Sequence, residues 1–398
     1  MSLKGKKILL GITGCIAAYK SAELVRIWIQ NGADVKVVMT DSARKFITPL
    51  TFETLTGCEV FKKLFDENKV HATVHINLAD WADALVIAPA TANTISKIRM
   101  GLADDLLSTI ALAAWKKTII APAMNSNMWK NPAVQENINE LKKRGYLMIN
   151  PDEGELACGY TGPGRLADIS IIDHWIRYYL SPKTNLKNKT VLVTAGRTEE
   201  EIDPVRMITN RSSGKMGFAL AREAFFRGAN VILVAGPNNL PHLPGIEYHN
   251  IISACEMEEC VSRLFKKTDI IIASAAVTDY KTKNIAKQKI KRNKNELKLD
   301  LVANPDILFQ LGKMKKNKIL IGFALETEDE EKNALEKMRK KNLDMIIMNN
   351  PCEQGAGFAK DTNKVKIITA KGVKLDMPLE EKSEVAIKIL DEVEKLIG

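Results

Sequence analysis

Six cysteines in 398 residues, none spaced as C-x-x-C, argue against a structural zinc or a disulfide framework. Cys15, Cys58, Cys158, Cys255, Cys260 and Cys352 are scattered and read as reduced thiols of a cytoplasmic protein. No apolar stretch is long enough to cross a bilayer, so no membrane partner is expected. No helix-turn-helix, zinc-finger or RNA-binding signature appears, which excludes the usual nucleic-acid readers. A complete P-loop is missing too. Gly214-Lys215 has the right pair, but Thr209 and Met216 stand where Gly and Ser or Thr are required. The lysines before the first apolar run and Ile12-Thr13-Gly14-Cys15 imitate a lipoprotein cleavage box. The strongly apolar part is about three residues, far short of the roughly 7–15 a secretory signal needs.

What is present is ordinary globular material in quantity. The chain is long enough for two domains, with 45% hydrophobic and 27% charged residues. Its formal charge of +10 fits a lysine-rich solvated surface, and it also suits anionic substrates such as phosphates.

In the first half, short apolar runs alternate with amphipathic ones. Strands are expected at Lys7–Ile12, Val35–Met39, Leu85–Ala88 and Thr118–Ala121, and helices at Cys15–Gln30 and Pro132–Arg144. Around Ser181–Lys189 the pattern breaks into a polar linker, and then it restarts. Val191–Thr194, Val231–Ala235, Ile270–Ala273, Ile319–Phe323 and Met345–Met348 read as strands, with Lys215–Arg227 a helix. A hairpin over Val365–Thr369 and Val373–Met377 and a closing helix over Glu380–Leu396 follow. Strands alternating with helices predict an α/β protein of two doubly wound domains with mainly parallel sheets. The expected division is 1–180, a linker over 181–189, and 190–398.

Ligands of open parallel sheets bind beyond the carboxyl ends of the strands. Three loops leave strands there: Gly11-x-x-Gly14, Thr40, and Ala88–Thr94 with its hydroxyls of Thr91 and amide of Asn93. Glycines at the first let backbone N–H groups approach a phosphate. Further on, Pro122-Ala123-Met124-Asn125 and Ala157-Cys158-Gly159-Tyr160-Thr161-Gly162-Pro163-Gly164-Arg165 set an amide and a thiol among small residues. The glycines of the second run predict a tight, mobile flap rather than a helix or strand. His75, Asn125 and Cys158 each have a plain structural reading when taken alone.

Together these segments resemble the phosphopantothenoylcysteine decarboxylase branch of the flavin-dependent cysteine decarboxylases, over nearly all of residues 6–170. The resemblance implies a flavoprotein-like N-terminal domain that binds FMN, with Gly11, Gly14, Thr40, Thr91, Asn93 and Met124 at the cofactor. It implies His75 as base, Asn125 as binder of the substrate carboxylate and Cys158 as proton donor. Direct loss of CO2 from a cysteinyl carboxyl would leave an unstabilised carbanion. Oxidation of the CH2–SH to a thioaldehyde first provides a C=S group to take up the electrons. Relatives often carry Asn where Asp104 stands.

In the second half Thr198–Arg206 leads to Thr209–Gly217, a polar loop entering a helix that begins with small residues, which can seat a phosphate. Asp279 leaves a buried strand in Ala275-Ala276-Val277-Thr278-Asp279-Tyr280, where it can hold a ribose or a metal or close a turn. The basic stretch Lys281–Lys298 contains Lys289-Ile290-Lys291, whose alternation puts both lysines on one face of an extended strand. Asn304-Pro305-Asp306-Ile307-Leu308 opens a helix, Phe323 ends a strand, and Lys337 and Lys341 are four apart on a helix.

These motifs, in this order, resemble the phosphopantothenate–cysteine ligase domain over roughly residues 186–398. Both halves on one chain resemble the bifunctional coenzyme A biosynthesis family. The resemblance implies a Rossmann-like C-terminal domain using CTP and Mg2+ to join 4′-phosphopantothenate to cysteine through an acyl-cytidylate. Lys289 would assist its formation and Asn210 would hold it. Ala275, Asp279, Lys289, Pro305, Asp306, Ile307, Leu308, Phe323, Lys337 and Lys341 would bind the nucleotide, with Asp279 toward the metal. It also implies a homo-oligomer, a dodecamer of N-terminal trimers and C-terminal dimers. Arg197 and Lys287-Gln288 depart from the family's usual residues. Two other readings are a peptidyl-cysteine decarboxylase fused to an NAD(P)-binding reductase, and a flavin-binding regulatory protein.

Overall fold

The computed structural model describes residues 2–65, 73–155, 159, 161–291, 297–325, 330–349, 360–372 and 374–397. Contacts divide the chain into two compact units, Ser2–Leu180 and Ser181–Gly398.

The first unit is built on a parallel sheet of β1 (Lys7–Ile12), β2 (Asp34–Met39), β3 (Ala84–Ala90), β4 (Thr118–Pro122) and β5 (Leu147–Met148). The spatial order is β2-β1-β3-β4-β5, so the sheet reverses direction of growth between β1 and β3. All seven residues of β3 are buried, which explains its unbroken apolar run: helices cover both faces. Leu85, Ile87, Ile110, Ile120 and Leu141 form part of one apolar core with Met124 at its rim. Local chemistry fixes the helix ends. Thr91 caps the helix Ala92–Met100, and Asp105 and Ser108 make a reciprocal capping box on Leu106–Ala113. The expected helix from Cys15 begins instead with a 3-10 turn at Ile16–Tyr19 and becomes α-helical at Lys20. The expected flap is also partly regular. Thr161–Arg165 is a strand, β7, pairing antiparallel with β6 (Asp152–Glu155) in a separate ribbon.

The second unit carries, in chain order, β8 (Thr190–Ala195), β9 (Glu199–Asp203), β10 (Arg206–Thr209), β11 (Asn230–Ala235), β12 (Glu247–Asn250), β13 (Ile270–Ala273), β14 (Tyr280–Thr282), β15 (Leu301–Ala303), β16 (Ile319–Leu325), β17 (Met345–Asn349), β18 (Thr362–Asn363), β19 (Val365–Thr369), β20 (Lys374–Asp376) and β21 (Glu380–Glu381). Its main sheet runs β12-β11-β8-β13-β16-β17-β19-β20. The first six of these are parallel, and in chain order they follow the dinucleotide-fold pattern 3-2-1-4-5-6. The switch point therefore falls between β8 and β13. Strands β19 and β20 close the edge antiparallel. Short ribbons β9/β10 and β14/β15 stand outside the sheet. Lys289-Ile290-Lys291, expected in an extended strand, lies in an irregular segment beyond β14.

The stretch 181–189, expected as a linker, is packed onto the second unit. Leu186 is fully buried, Lys183 Nζ donates to Phe226 O at 3.0 Å, and Thr184 Oγ1 donates to Glu394 at 2.6 Å. Beside it Arg227 is buried between helices Lys215–Phe226 and Lys382–Ile397. It pairs with Glu223 at 3.0 Å, Asp391 at 2.7 Å and Glu394 at 3.0 Å. Burial opposes its charge, but the three carboxylates outweigh burial and raise its pKa.

Candidate active sites

At the carboxyl edge of the first sheet, one hydroxyl ties two loops together. Thr13 leaves β1 fully buried; its Oγ1 donates to Pro89 O at 2.7 Å and accepts from Thr91 N at 3.0 Å. The loop after β2 joins them. Thr40 N donates to Ile12 O at 3.1 Å, and Thr40 Oγ1 accepts from Ala43 N at 3.2 Å. Gly14 is required for this approach, since a Cβ there would sit 2.4 Å from Ser42 Cβ. So Gly14, Thr40 and Thr91 gather beyond the switch point, with Asn93 exposed in the first turn of its helix. Gly11 is placed differently. It lies buried within β1, where a Cβ would meet Leu107 Cδ1 at 2.4 Å, so its close contact is with the helix Leu106–Ala113.

The exit of β4 forms the other wall. Met124 N donates to Gly164 O at 2.9 Å, which lays β7 across Pro122–Asn125. A Cβ on Gly164 would fall 2.3 Å from Met124 O, and its φ of +133 is one that only glycine adopts readily. The glycines of the second motif thus permit ribbon and loop to touch. Asn125 caps the helix Ser126–Lys130, its Oδ1 accepting from Asn127 N at 2.8 Å. Ser126 Oγ is buried under the ribbon without a hydrogen-bond partner. His75 stands on the helix Val74–Trp81, half-buried, with its Nδ1 buried and likewise unpartnered. Val74 packs against the core cluster that contains Met124. Cys158 lies outside the described residues, between the paired Glu155 and Thr161.

Asp104, the departure noted in the sequence, shares Lys97 with Asp105, each at 2.8 Å. Burial pushes the Asp105 carboxyl up, but Lys97 and Ser108 hold it below its ordinary value.

In the second unit a hydrogen-bonded seam joins the exits of β8 and β13. Ala275 N donates to Thr194 Oγ1 at 3.2 Å, and Ala276 N to Gly196 O at 2.9 Å. Thr198 and Thr278 share a hydroxyl contact of 3.1 Å, and Thr278 Oγ1 donates to the buried Glu200 at 3.2 Å. Asn210 joins the seam, its Nδ2 donating to Ala276 O at 3.2 Å. Asn304 Nδ2 donates to Thr278 O at 2.9 Å, and Asn304 N to Asp279 O at 2.8 Å. Asp279 and the Pro305–Leu308 helix start are thereby brought to the same edge, and the Asp279 side chain is exposed.

Two more expected pairs meet. Lys337 Nζ donates to Phe323 O at 3.2 Å, and Lys341 Nζ pairs with Asp306 at 2.8 Å. Lys289 is exposed on its irregular segment. Arg197, the second departure, pairs with Glu199 at 2.9 Å. Sequence reasoning passed over Thr13, Thr194, Glu200 and Thr278. The only signal was a hydroxyl or carboxylate just after a buried strand. No group of three or more His, Cys, Asp or Glu side chains comes together as a metal site among the described residues.

Each unit is thus an open parallel sheet with polar side chains collected at its switch point, the architecture of a two-unit α/β enzyme that handles nucleotide-like ligands. Residues 1–180 match the Flavoprotein family, and residues 186–397 match the DNA/pantothenate metabolism flavoprotein C-terminal domain. The coenzyme A biosynthesis bifunctional protein CoaBC of Bacillus subtilis (strain 168) is 44% identical over 397 residues, covering 99% of this chain and 98% of its own length. That of Escherichia coli (strain K12) is 43% identical over 398 residues, covering 99% and 98%. A crystal structure of the C-terminal domain of a CoaBC protein is 39% identical, covers 53% of this chain and 97% of its own, and has a TM-score of 0.47. The chain belongs to the family of coenzyme A biosynthesis bifunctional proteins. It is a bifunctional enzyme of that biosynthesis, a flavoprotein decarboxylase unit followed by a ligase unit, and both expected sheets are present.

Proposed function

We propose that the second unit joins 4′-phosphopantothenate to cysteine at the expense of CTP, and that the first unit decarboxylates the product to 4′-phosphopantetheine. The observation that carries the ligase reading is the convergence of Asn210, Ala275, Asp279, Asp306, Phe323, Lys337 and Lys341 on one edge of a sheet with dinucleotide-fold strand order.

In the ligase, a carboxylate oxygen of 4′-phosphopantothenate attacks the α-phosphorus of CTP. The bond from that phosphorus to the bridging oxygen breaks and pyrophosphate leaves. Lys289 offsets the charge that builds on the phosphate. Asn210 holds the acyl-cytidylate while the cysteine amine attacks its carbonyl carbon and CMP departs. Mg2+ would supply charge compensation for the triphosphate. A single exposed carboxylate, Asp279, suits an ion that keeps most of its ligands as water and phosphate oxygen.

In the decarboxylase, the residues fit FMN: Thr40, Thr91 and the close backbone approach at Gly14 lie beyond the switch point, and they would hold the cofactor there through N–H and O–H groups. When bound, FMN supplies reversible two-electron oxidation of the carbon bearing the substrate thiol. Asn125 orients the substrate carboxylate. His75, whose Nδ1 has no partner, takes up a proton. Cys158 returns one to carbon after CO2 has left. The exposed apolar side chains of Tyr19, Phe46 and Leu50 support burial of the first unit against further copies, in the trimer-and-dimer dodecamer.

Incubation with 4′-phosphopantothenate, cysteine and either CTP or ATP tests this reading. Pyrophosphate release that needs both CTP and 4′-phosphopantothenate supports it, and silence with both nucleotides overturns it. A flavin absorption spectrum of the purified protein tests the first unit separately.

A further inference from the structure

The segment that carries Lys289 runs on irregularly from β14, and from the last residue of that strand onward it is fastened at regular intervals to β9. Thr282 Oγ1 donates to Glu201 O at 2.7 Å, Ala286 N donates to Ile202 O at 3.0 Å, and Ile290 N donates to Asp203 Oδ2 at 3.2 Å. The first two fasteners end on backbone carbonyls, which any residue supplies. The third ends on a side chain, and it is the one adjacent to the lysine.

Asp203 is well made for this task. Its side chain is wholly buried. Oδ1 accepts the N–H groups of Val205 at 2.8 Å and Arg206 at 2.9 Å, which fixes the carboxylate within its own turn. Oδ2 then faces Ile290. Burial by itself would raise this carboxyl, but the three backbone donors and Arg206 hold it below its ordinary value, so it stays an anionic acceptor at neutral pH. Arg206 completes the grip from the other side, its Nη2 donating to Ile290 O at 3.1 Å while Nη1 stands 3.8 Å from Asp203. Both polar groups of the Ile290 backbone are therefore held. A peptide clamped at N–H and C=O has lost most of its freedom, and the side chains on either side, Lys289 and Lys291, project exposed from a fixed point.

We propose that Asp203 is the positioning residue for Lys289: its buried carboxylate, with the Arg206 guanidinium, clasps the Ile290 backbone and thereby aims the neighbouring ammonium at the phosphate that reacts. This rests on the role given to Lys289 above. A long, flexible lysine on an irregular segment would otherwise sample many positions, and misplacement by about 1 Å is enough to cost roughly 100-fold in rate. Asp203 acts through Lys289 and touches no substrate.

The experiment is a double-mutant cycle on the full-length protein. Asp203→Asn keeps the shape but sets an amide where a charged acceptor stood; Lys289→Ala removes the ammonium. Pyrophosphate release with CTP and 4′-phosphopantothenate is followed in single turnover for both variants and their combination. Decarboxylation by the other unit of the same chain and the thermal melt serve as controls. The expected result is a loss of about 10- to 100-fold for Asp203→Asn, in kcat and with little change in KM for CTP, and no added loss in the Lys289→Ala background. Trypsin should also cut at Lys289 and Lys291 faster in Asp203→Asn than in the parent. Losses that multiply in the double variant, or unchanged rate and proteolysis in Asp203→Asn, overturn the proposal while leaving Lys289 in place. A Lys289→Ala protein with full pyrophosphate release overturns the role of Lys289 itself, and the positioning role falls with it. Should Asp203→Asn melt early, Ile290→Pro removes the same hydrogen bond from the other side without disturbing the bonds from Val205 and Arg206, and the same outcomes are read on it.

Discussion

Lys341 and Asp306, 35 residues apart, form an ion pair of 2.8 Å at the start of the helix Ile307–Met314. Asp306 also caps that helix, accepting from Phe309 N at 3.1 Å. The pair binds two separately read motifs into one surface. Under the function proposed above, Lys341 is the cation that meets the nucleotide and Asp306 holds it in place. Lys341→Ala is expected to raise the KM for CTP about tenfold, which corresponds to about 1.4 kcal/mol. Asp306→Asn, which retains a cap, should raise it less. Initial rates at varied CTP check both, and equal KM values in all three proteins would contradict the assignment.

Gly164→Ala tests the contact between ribbon and loop. The new methyl would fall on the Met124 carbonyl, at a φ that alanine resists. The ribbon must then lift or strain, at a cost of order 1–3 kcal/mol. Decarboxylation should fall steeply while CTP-dependent ligation by the same preparation is retained. A variant with normal decarboxylation would show that the ribbon need not touch Met124.

Cys158→Ser should release CO2 yet fail to deliver the saturated thiol product, because a hydroxyl is a far weaker proton donor than a thiol. Product analysis by mass spectrometry separates the two stages. Ligation is expected to be unaffected, and complete turnover would remove the thiol from the mechanism.

Arg227→Met should lower the melting temperature of the ligase unit. Removing the guanidinium leaves Glu223, Asp391 and Glu394 without their shared partner. Breaking a buried ion pair on one side costs about 3–5 kcal/mol, and Asp391 is partly exposed, so the lower end is expected. Calorimetry of the full-length protein checks this.

Lys183 gives a pH dependence of definite sign. Burial lowers its pKa to about 8 from 10.5. The residue as a whole is exposed, and the shift reflects partial desolvation of its ammonium beside Phe226 O, so below the folded value the folded state carries only a part of the cost of a buried charge. Stability gains as pH rises from about 8 toward 10.5, where the unfolded chain still holds the proton. Lys183→Met should abolish that part of the rise in unfolding free energy. Because the site is partly solvated, the gain is smaller than the raw shift implies. Identical stability-versus-pH curves for the two proteins would refute it.

The sheets were legible in the sequence because their strands are buried on both faces and read as unbroken apolar runs. Lys7–Ile12 and Ile270–Ala273 were delimited to the residue. The ribbons were not. Thr161–Arg165 is mostly glycine and proline, and Glu199–Asp203 is mostly acidic, so neither shows the alternation that marks a half-buried strand. The motif residues of the ligase edge were found by resemblance, while their mutual contacts were invisible. Asp203 and Ile290 are 87 positions apart, and nothing local in either predicts that they bond. Polar fasteners such as Thr13 leave only a faint trace, since a threonine after a strand is commonplace.

The three acids around Arg227 come from two helices: Glu223 lies on Lys215–Phe226, and Asp391 and Glu394 lie one turn apart on Lys382–Ile397. An allele that breaks off after Leu390 would strip Asp391 and Glu394 from this cluster and also release Thr184, whose hydroxyl donates to Glu394. Such an allele should read genetically as a loss of peptide-bond formation alone, and complement a strain lacking only the decarboxylating half.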